Sequence, residues 1–366
     1  MPVTNFQQSV DFSGQNFYVG IDIHKKSWAV TVRTMNIEVA RFTQPPDPQN
    51  LSSHLKNKFP NGIFHSAYEA GFCGTSYHDN LLRLGIENII VHPADIPSTD
   101  KQKKNKTDLH DSRSISYYLE KGLLHSIHVL PKGNQEIRSL FRLRQSKVKD
   151  VTRISNKLKS YIQFMGIAIP NDSKNSKLTN RSIQWLGNQK FDTVAGSITL
   201  RQYINDLIYH RKQLLEVTKI LRKQISSIYP QQYTCLLSVP GIGPIVAMAL
   251  LAEIGDFARF KDPDQYTSYL GLTPWENSSG DSITTRGMQP RGNKYLRPLL
   301  IETSWAAVKH APELLLYYRK HAVKNSKHAI VKVARKVALI ARSVVTHLQL
   351  YNPEYKTINN YSEVNS

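Results

Sequence analysis

A mixed α/β unit at the N-terminus followed by a mostly helical remainder is the fold class this sequence predicts, and three observations predict it. Short apolar runs fill residues 17–43 and then alternate with helix-like stretches as far as about residue 121. From Asn134 onward apolar residues instead recur three or four apart within long charged segments, the period of an amphipathic helix. From Gln232 to about Leu350 the pattern is one of short helices broken by Gly and Pro.

The elements follow in order. Phe17 to Asp22, Trp28 to Val32 and Glu38 to Phe42 read as three strands with short polar breaks, which makes an antiparallel meander. A polar helix-like stretch, Asn50 to Lys58, precedes a strand, Ile63 to Tyr68. A helix from Thr75 to Leu84, a strand from Asn88 to Val91 and a helix from about Thr107 to Lys121 complete the unit. Strands alternating with helices at this spacing imply crossover units and a partly parallel sheet. The order β-β-β-α-β-α-β-α is the ribonuclease-H-like topology. Long amphipathic helices are expected at Asn134 to Met165 and Thr199 to Ile228. The Asn-, Ser- and Lys-rich stretch from Pro170 to Lys190 reads as a loop or insertion between them. The division expected is an α/β domain at 1–130, a long, coiled-coil-like helical connector at 131–230, a C-terminal domain at 231–350 and a polar tail at 351–366.

With 366 residues the chain exceeds what one core usually organises, so burial needs no disulfide staples. Its 48 Lys and Arg against 28 Asp and Glu leave a formal charge of +20, more than solubility requires, and such a surface attracts a polyanion by displacing counterions. Nucleic acid is the first partner to consider; anionic lipid and a ribosome share the same charge logic. Cys73 and Cys235 lie far apart with no second Cys or His at zinc-ligand spacing, which argues against a disulfide framework and a structural zinc and fits a reducing cytosol. The first 17 residues lack the basic and apolar segments of an export signal, and no stretch approaches the ~20 apolar residues of a membrane span. A soluble, cytoplasmic protein with no membrane partner is expected.

Four carboxylates stand out. Asp22 ends the first strand, Glu69 follows the strand at 63–68, and Asp108 and Asp111 sit one helical turn apart at the start of a helix. Oxygen ligands drawn from several element ends suit Mg²⁺ or Mn²⁺, and two such ions can stabilise the attacking and leaving oxygens of a phosphodiester displacement. Each carboxylate alone reads more readily as a cap or a solvated turn residue, and only the set of four, placed on this element order, favours metal ligation. Lys101, Lys103, Lys104 and Lys106 form a cationic run just before the aspartates, either a path for a nucleic-acid backbone or a solvated loop.

In the C-terminal part, Val239-Pro240-Gly241-Ile242-Gly243-Pro244 before an apolar, alanine-rich run has the form of a helix-hairpin-helix. Gly241 and Gly243 permit the tight turn, and N–H groups at the following helix start can bind a phosphate. A purely structural helical corner has the same outline. Further on, a Ser278-Ser279-Gly280 turn lies among Arg286, Arg291, Lys294 and Arg297, cations able to stabilise a scissile phosphate attacked by a hydroxyl. Ser-Gly pairs are also ordinary turn formers.

Gly20-Ile21-Asp22-Ile23-His24-Lys25-Lys26, Tyr68-Glu69, Lys106-Thr107-Asp108-Leu109-His110-Asp111, the Pro-Gly-Ile-Gly-Pro block, Gly271-Leu272-Thr273-Pro274 and Ser278-Ser279-Gly280 with Arg291-Gly292-Asn293 and Leu296-Arg297 occur in one order along nearly the whole chain. Together they resemble the bacterial insertion-sequence family 110 of transposases, the DEDD/serine enzymes. The resemblance implies an N-terminal domain similar to the RuvC-like Holliday-junction resolvases of the ribonuclease-H superfamily, whose Mg²⁺ ligands would be Asp22, Glu69, Asp108 and Asp111. It implies a C-terminal serine, best matched by Ser279 and next by Ser278, that joins covalently to a DNA end. It further implies a homo-oligomer, a tetramer with composite sites, and a structured noncoding guide RNA that pairs with donor and target DNA. Two departures stand beside it: Ser112-Arg113 follows Asp111 where a small residue is common, and Met288-Gln289-Pro290 replaces a more usual Ile-Thr-Lys-like stretch. A junction-resolvase-like metal nuclease without serine chemistry is the alternative enzyme, and a non-catalytic nucleic-acid-binding protein the alternative of another class.

Overall fold

The computed structural model describes residues 11–97, 108–168, 178–279, 282–288, 291–323 and 325–353, with the side chains of 108–110, 275–279 and 282–286 outside the description. The described chain divides into two compact units, Met1–Val129 and Leu130–Ser366.

The first unit is a five-stranded sheet with helices. Its elements are β1 (Asn16–Ile23), β2 (Trp28–Thr34), β3 (Ile37–Gln44), α1 (Pro48–Lys58), β4 (Ile63–Glu69), α2 (Ser76–Arg83), β5 (Glu87–Val91) and α3 (Asp108–Glu120), the order expected from the sequence. Spatially the strands run β3-β2-β1-β4-β5, antiparallel between β3, β2 and β1 and parallel between β1, β4 and β5. Alternation along β1 sends Phe17, Val19 and Ile21 to one face, where Val30, Val32, Leu51, Leu55, Phe59 and Tyr68 complete an apolar cluster. Every residue of β2 is buried, because its other face, carrying Thr31 and Arg33, is covered as well.

That second cover is α3. A Cβ on Gly20 would lie 2.1 Å from the Ser112 carbonyl oxygen and 2.4 Å from the Ser116 nitrogen, so the helix backbone rests on β1 where β1 has no side chain. Ser112, standing where the sequence departs from a small residue, is fully buried, and its hydroxyl lies 3.0 Å from that of Thr31. At the far end Glu120 accepts from Arg33 Nε at 2.8 Å and from the Asn36 N–H at 2.6 Å. These contacts set the direction of α3: its last turn lies beside the start of β1, its middle over Gly20, and its first turn toward the end of β1.

The second unit begins with two long helices, α4 (Lys132–Phe164) and α6 (Val194–Ile228). They run antiparallel: Ile154, Leu158 and Ile162 of α4 cluster with Leu200, Ile204 and Leu207 of α6, while Ile137 and Phe141 cluster with Leu221 and Ile225. The stretch read as a loop at 170–190 contains a helix, α5 (Asn180–Gly187). Thr179 caps it by accepting from the Ser182 N–H at 3.1 Å, and Ile183 and Leu186 are buried. Its three apolar positions were too few to outweigh the polar flanks, but they suffice once α4 and α6 supply the opposite wall.

The remainder is α7 (Pro230–Ser238), α8 (Pro244–Ile254), α9 (Pro263–Leu270), the hairpin β6 (Pro274–Ser279) and β7 (Ser282–Met288), α10 (Leu296–His310), α11 (Pro312–Ala322) and α12 (Ser326–His347). The expectation of short helices alone is corrected twice, by the antiparallel β6–β7 hairpin and by the 22-residue α12. The core is built on α8, buried from Ala247 to Ile254, and on α12, whose Val333, Ala334, Val337, Ala338 and Ala341 are buried. A helix apolar on nearly all sides belongs inside. No helix among the described residues is long and apolar enough to cross a membrane.

Candidate functional site

Asp22 and Glu69 occupy equivalent places on adjacent parallel strands. Ile21 pairs with Tyr68 in the β1–β4 register, so one residue further on Asp22 and Glu69 stand at neighbouring strand ends. Ile21 and Tyr68 face the apolar cluster; alternation therefore sends Asp22 and Glu69 to the opposite face, the one α3 covers. Asp111 immediately precedes Ser112, whose carbonyl lies against Gly20, two residues before Asp22. Asp108 begins the same helix one turn earlier, and its side chain lies outside the description. The backbone thus brings Asp22, Glu69 and the first turn of α3 to one face and one end of the sheet.

Asp22 is partly buried, its side chain 17% exposed, and its Oδ2 lies 3.1 Å from His24 Nε2. His24 directly follows β1, two residues after Asp22, and that spacing was the available signal for the contact. Among the described residues no three His, Cys, Asp or Glu side chains lie close enough to hold a metal ion as placed. The donor set is nevertheless all carboxylate, the chemistry that a hard divalent cation takes. Lys101, Lys103, Lys104 and Lys106 lie outside the described residues. Cys73 and Cys235 are both free thiols, and burial raises each above the ordinary thiol value.

In the second unit, α7 and α8 are joined by the turn through Gly241 and Gly243. Gly241 has φ +82°, and a Cβ there would meet the Thr303 carbonyl at 2.6 Å and the Ala307 nitrogen at 2.7 Å, so this glycine seats the turn on α10. Gly243, the residue before α8, has open space around it. Ser278 and Ser279 lie at the end of β6, where Ser278 pairs with Ile283 and Ser279 with Ser282. The expected turn is therefore the tip of a hairpin, with the serines on its strand. Arg286 lies on β7, with its side chain outside the description.

Arg291, Gly292 and Asn293 form the loop between β7 and α10. Asn293 Oδ1 accepts from the N–H groups of Tyr295 and Leu296 at 2.9 and 3.0 Å and so opens α10, while the Asn293 N–H donates to the Tyr269 carbonyl at 2.8 Å. Arg297 packs against the backbones of Gly271 and Gly292 and donates from Nη2 to the Arg291 carbonyl at 2.9 Å, tying the two ends of the hairpin together. Lys294 is exposed, its Nζ 5.4 Å from the centre of the Tyr295 ring.

Comparison with known proteins matches both units. A family model described as "Transposase", of the DEDD IS110 type, covers residues 19–167, and the model of the "Transposase IS116/IS110/IS902 family" covers residues 233–319. The chain belongs to the IS110 family of transposases. Relatives matched along most of the chain are named as transposases or putative transposases as well. The y4qE protein of Sinorhizobium fredii is 27% identical over 86% of this chain and 77% of its own length. The transposase for insertion sequence element IS1111A of Coxiella burnetii is 22% identical over 76% of this chain and 77% of its own. The transposase for insertion sequence element IS1533 of Leptospira borgpetersenii is 24% identical over 79% and 84%. The first IS110 model spans Asp22, Glu69, Asp108 and Asp111, and the second spans Ser279 and the Arg291–Arg297 loop.

Proposed function

We propose that this chain is the transposase of an insertion sequence, cutting and rejoining DNA with a carboxylate-held divalent metal and a serine nucleophile. The observation that carries the reading is the placement of Asp22 and Glu69 on adjacent parallel strand ends, on the face crossed by the helix that begins at Asp108. The strand order and directions are those of a ribonuclease-H-like, RuvC-like domain, which supports taking Asp22, Glu69, Asp108 and Asp111 as the residues that would hold Mg²⁺ or Mn²⁺. When bound, the metal supplies charge stabilisation for the oxygens of a phosphodiester under attack. The protein's part is to hold those carboxylates on rigid elements, and His24 limits the freedom of Asp22.

Ser279 is proposed as the group that bonds to the cleaved strand, with Ser278 the next candidate. A serine hydroxyl is a weak nucleophile at its free pKa, so neighbouring cations and a proton acceptor have to assist it. Arg286, Arg291 and Lys294 follow it closely in the chain, whereas Arg297 is engaged in holding the loop. The turn through Gly243 into α8 is proposed as a helix-hairpin-helix phosphate contact, since a Cβ on Gly243 would meet nothing within 4 Å and the helix start is not crowded there. The proposal also includes the division at 1–130, 131–230, 231–350 and 351–366, donor and target DNA as substrates, the Lys101–Lys106 run as a DNA contact, a homo-oligomer with the tetramer as its expected size, and a noncoding guide RNA. The test is alanine substitution at each of Asp22, Glu69, Asp108 and Asp111: Mg²⁺-dependent recombination should vanish while DNA binding persists. Full activity in both Asp22→Ala and Asp108→Ala would refute the acidic site.

A further inference from the structure

Four segments of the second unit meet at Glu253. Glu253, fully buried near the end of α8, accepts from Arg142 Nε at 2.7 Å and Nη2 at 2.9 Å and from Asn293 Nδ2 at 2.9 Å; Arg138 Nε lies 3.7 Å away. The backbone carbonyl of Glu253 accepts from Arg138 Nη2 at 2.7 Å and from the Tyr269 hydroxyl at 2.9 Å. The Arg259 guanidinium lies over the Phe260 and Tyr269 rings, 4.2 and 4.6 Å from their centres, and Arg142 lies 5.1 Å from the centre of Tyr295.

The charges here do not balance. Arg138 and Arg142 share the single negative charge of Glu253, and Arg259 lies near the exposed Asp256, one of whose oxygens accepts from the Ala258 N–H, so three guanidiniums stand against two carboxylates. Burial, with the charge of Arg138 nearby, holds the Arg259 guanidinium below its ordinary value. Arg259 Nε is buried without a hydrogen-bond partner among the described residues. Cations held over aromatic faces are fixed in place without being neutralised. Arg138 and Arg142 keep 25% and 43% of their side chains exposed, so a ligand from solvent can reach them. The same knot anchors the hairpin, because Asn293 joins Glu253 to the loop that follows β7.

We propose that Arg138 and Arg142, mounted on Glu253, form together with the ring-stacked Arg259 a phosphate subsite that grips a nucleic-acid backbone at the base of the β6–β7 hairpin. The ligand class is a phosphodiester, for which guanidinium forks are well shaped. None of the three is among the cations that the sequence places around Ser279. Only the destination of the gripped strand rests on the proposal for Ser279; the grip itself does not.

The test is fluorescence anisotropy on the full chain with a labelled DNA duplex, a labelled single strand and a structured RNA, each across a range of salt. Arg138→Gln/Arg259→Gln should weaken binding about tenfold and flatten the plot of log affinity against log salt by roughly one to two charges. Arg259→Lys, which keeps the charge, should retain the slope. A loss confined to RNA assigns the phosphates to RNA, and one confined to DNA assigns them to DNA. An unchanged affinity and slope for all three, in a double variant whose circular dichroism matches the wild type, overturns the subsite. Should the double variant fail to fold, Arg259→Gln alone decides, since its ring-stacked guanidinium makes no ion pair among the described residues: the same slope as wild type overturns the proposal. Ser279→Ala should leave every slope unchanged, so failure of the serine reading and failure of the subsite are separately visible.

Discussion

Gly20 lies where α3 crosses β1, and its missing side chain sets how close the first turn of that helix comes to Asp22. A methyl group there would sit 2.1 Å from the Ser112 carbonyl, a contact that only movement of the helix relieves. Gly20→Ala should therefore cost about 1–3 kcal/mol or more, the usual range for overpacking, and should remove activity even at temperatures where the unit remains folded. Urea unfolding measures the first effect and a cleavage assay the second. The buried Thr31–Ser112 hydroxyl pair makes a second residue-scale prediction. Ser112→Ala alone strands the Thr31 hydroxyl and should cost about 1–3 kcal/mol, while Thr31→Val with Ser112→Ala should come closer to neutral, because the two hydroxyls that pair with each other are then removed together. The four carboxylates were legible in the sequence because strand ends and helix starts are legible. The purpose of Gly20 was not, since nothing local says which helix will land on it. Glu253 is a similar case: it is the one charge in an apolar helix, a signal that a buried partner exists, but Arg142 is 111 positions away.

At the scale of elements, α3 is held at its far end by the Arg33–Glu120 pair, whose side chains are 10% and 6% exposed. Arg33→Met would leave Glu120 buried without its cation and should cost about 3–5 kcal/mol by denaturant titration, whereas replacing both partners by apolar residues should cost much less. Loss of this pair should also lower cleavage, because it frees the helix that carries Asp108 and Asp111. The strands of the first unit were readable from alternation and the long helices from their period. Two elements escaped. Asn180–Gly187 is a helix only because α4 and α6 bury Ile183 and Leu186. The β6–β7 hairpin escaped because Ser, Asn and Gly, read locally, favour a turn, and the antiparallel pairing from Pro274 to Met288 lies outside any single window.

For the whole molecule, a charge of +20, nearly all of it carried by residues 130–366, predicts binding that falls steeply with salt. A slope near zero for duplex DNA and structured RNA alike would mean that the excess Lys and Arg serve something other than phosphate. The central claim joins the acidic set of one unit to the serine of the other in a single chemistry. Its most direct test incubates the protein with guide RNA, labelled donor DNA and labelled target DNA in Mg²⁺, followed by denaturation and a search for a covalent protein–DNA adduct. The account predicts an adduct in the wild type and in Ser278→Ala, and none in Ser279→Ala, in Asp22→Ala or without a divalent metal. Cleavage of the DNA by the wild type with no adduct at all would contradict it.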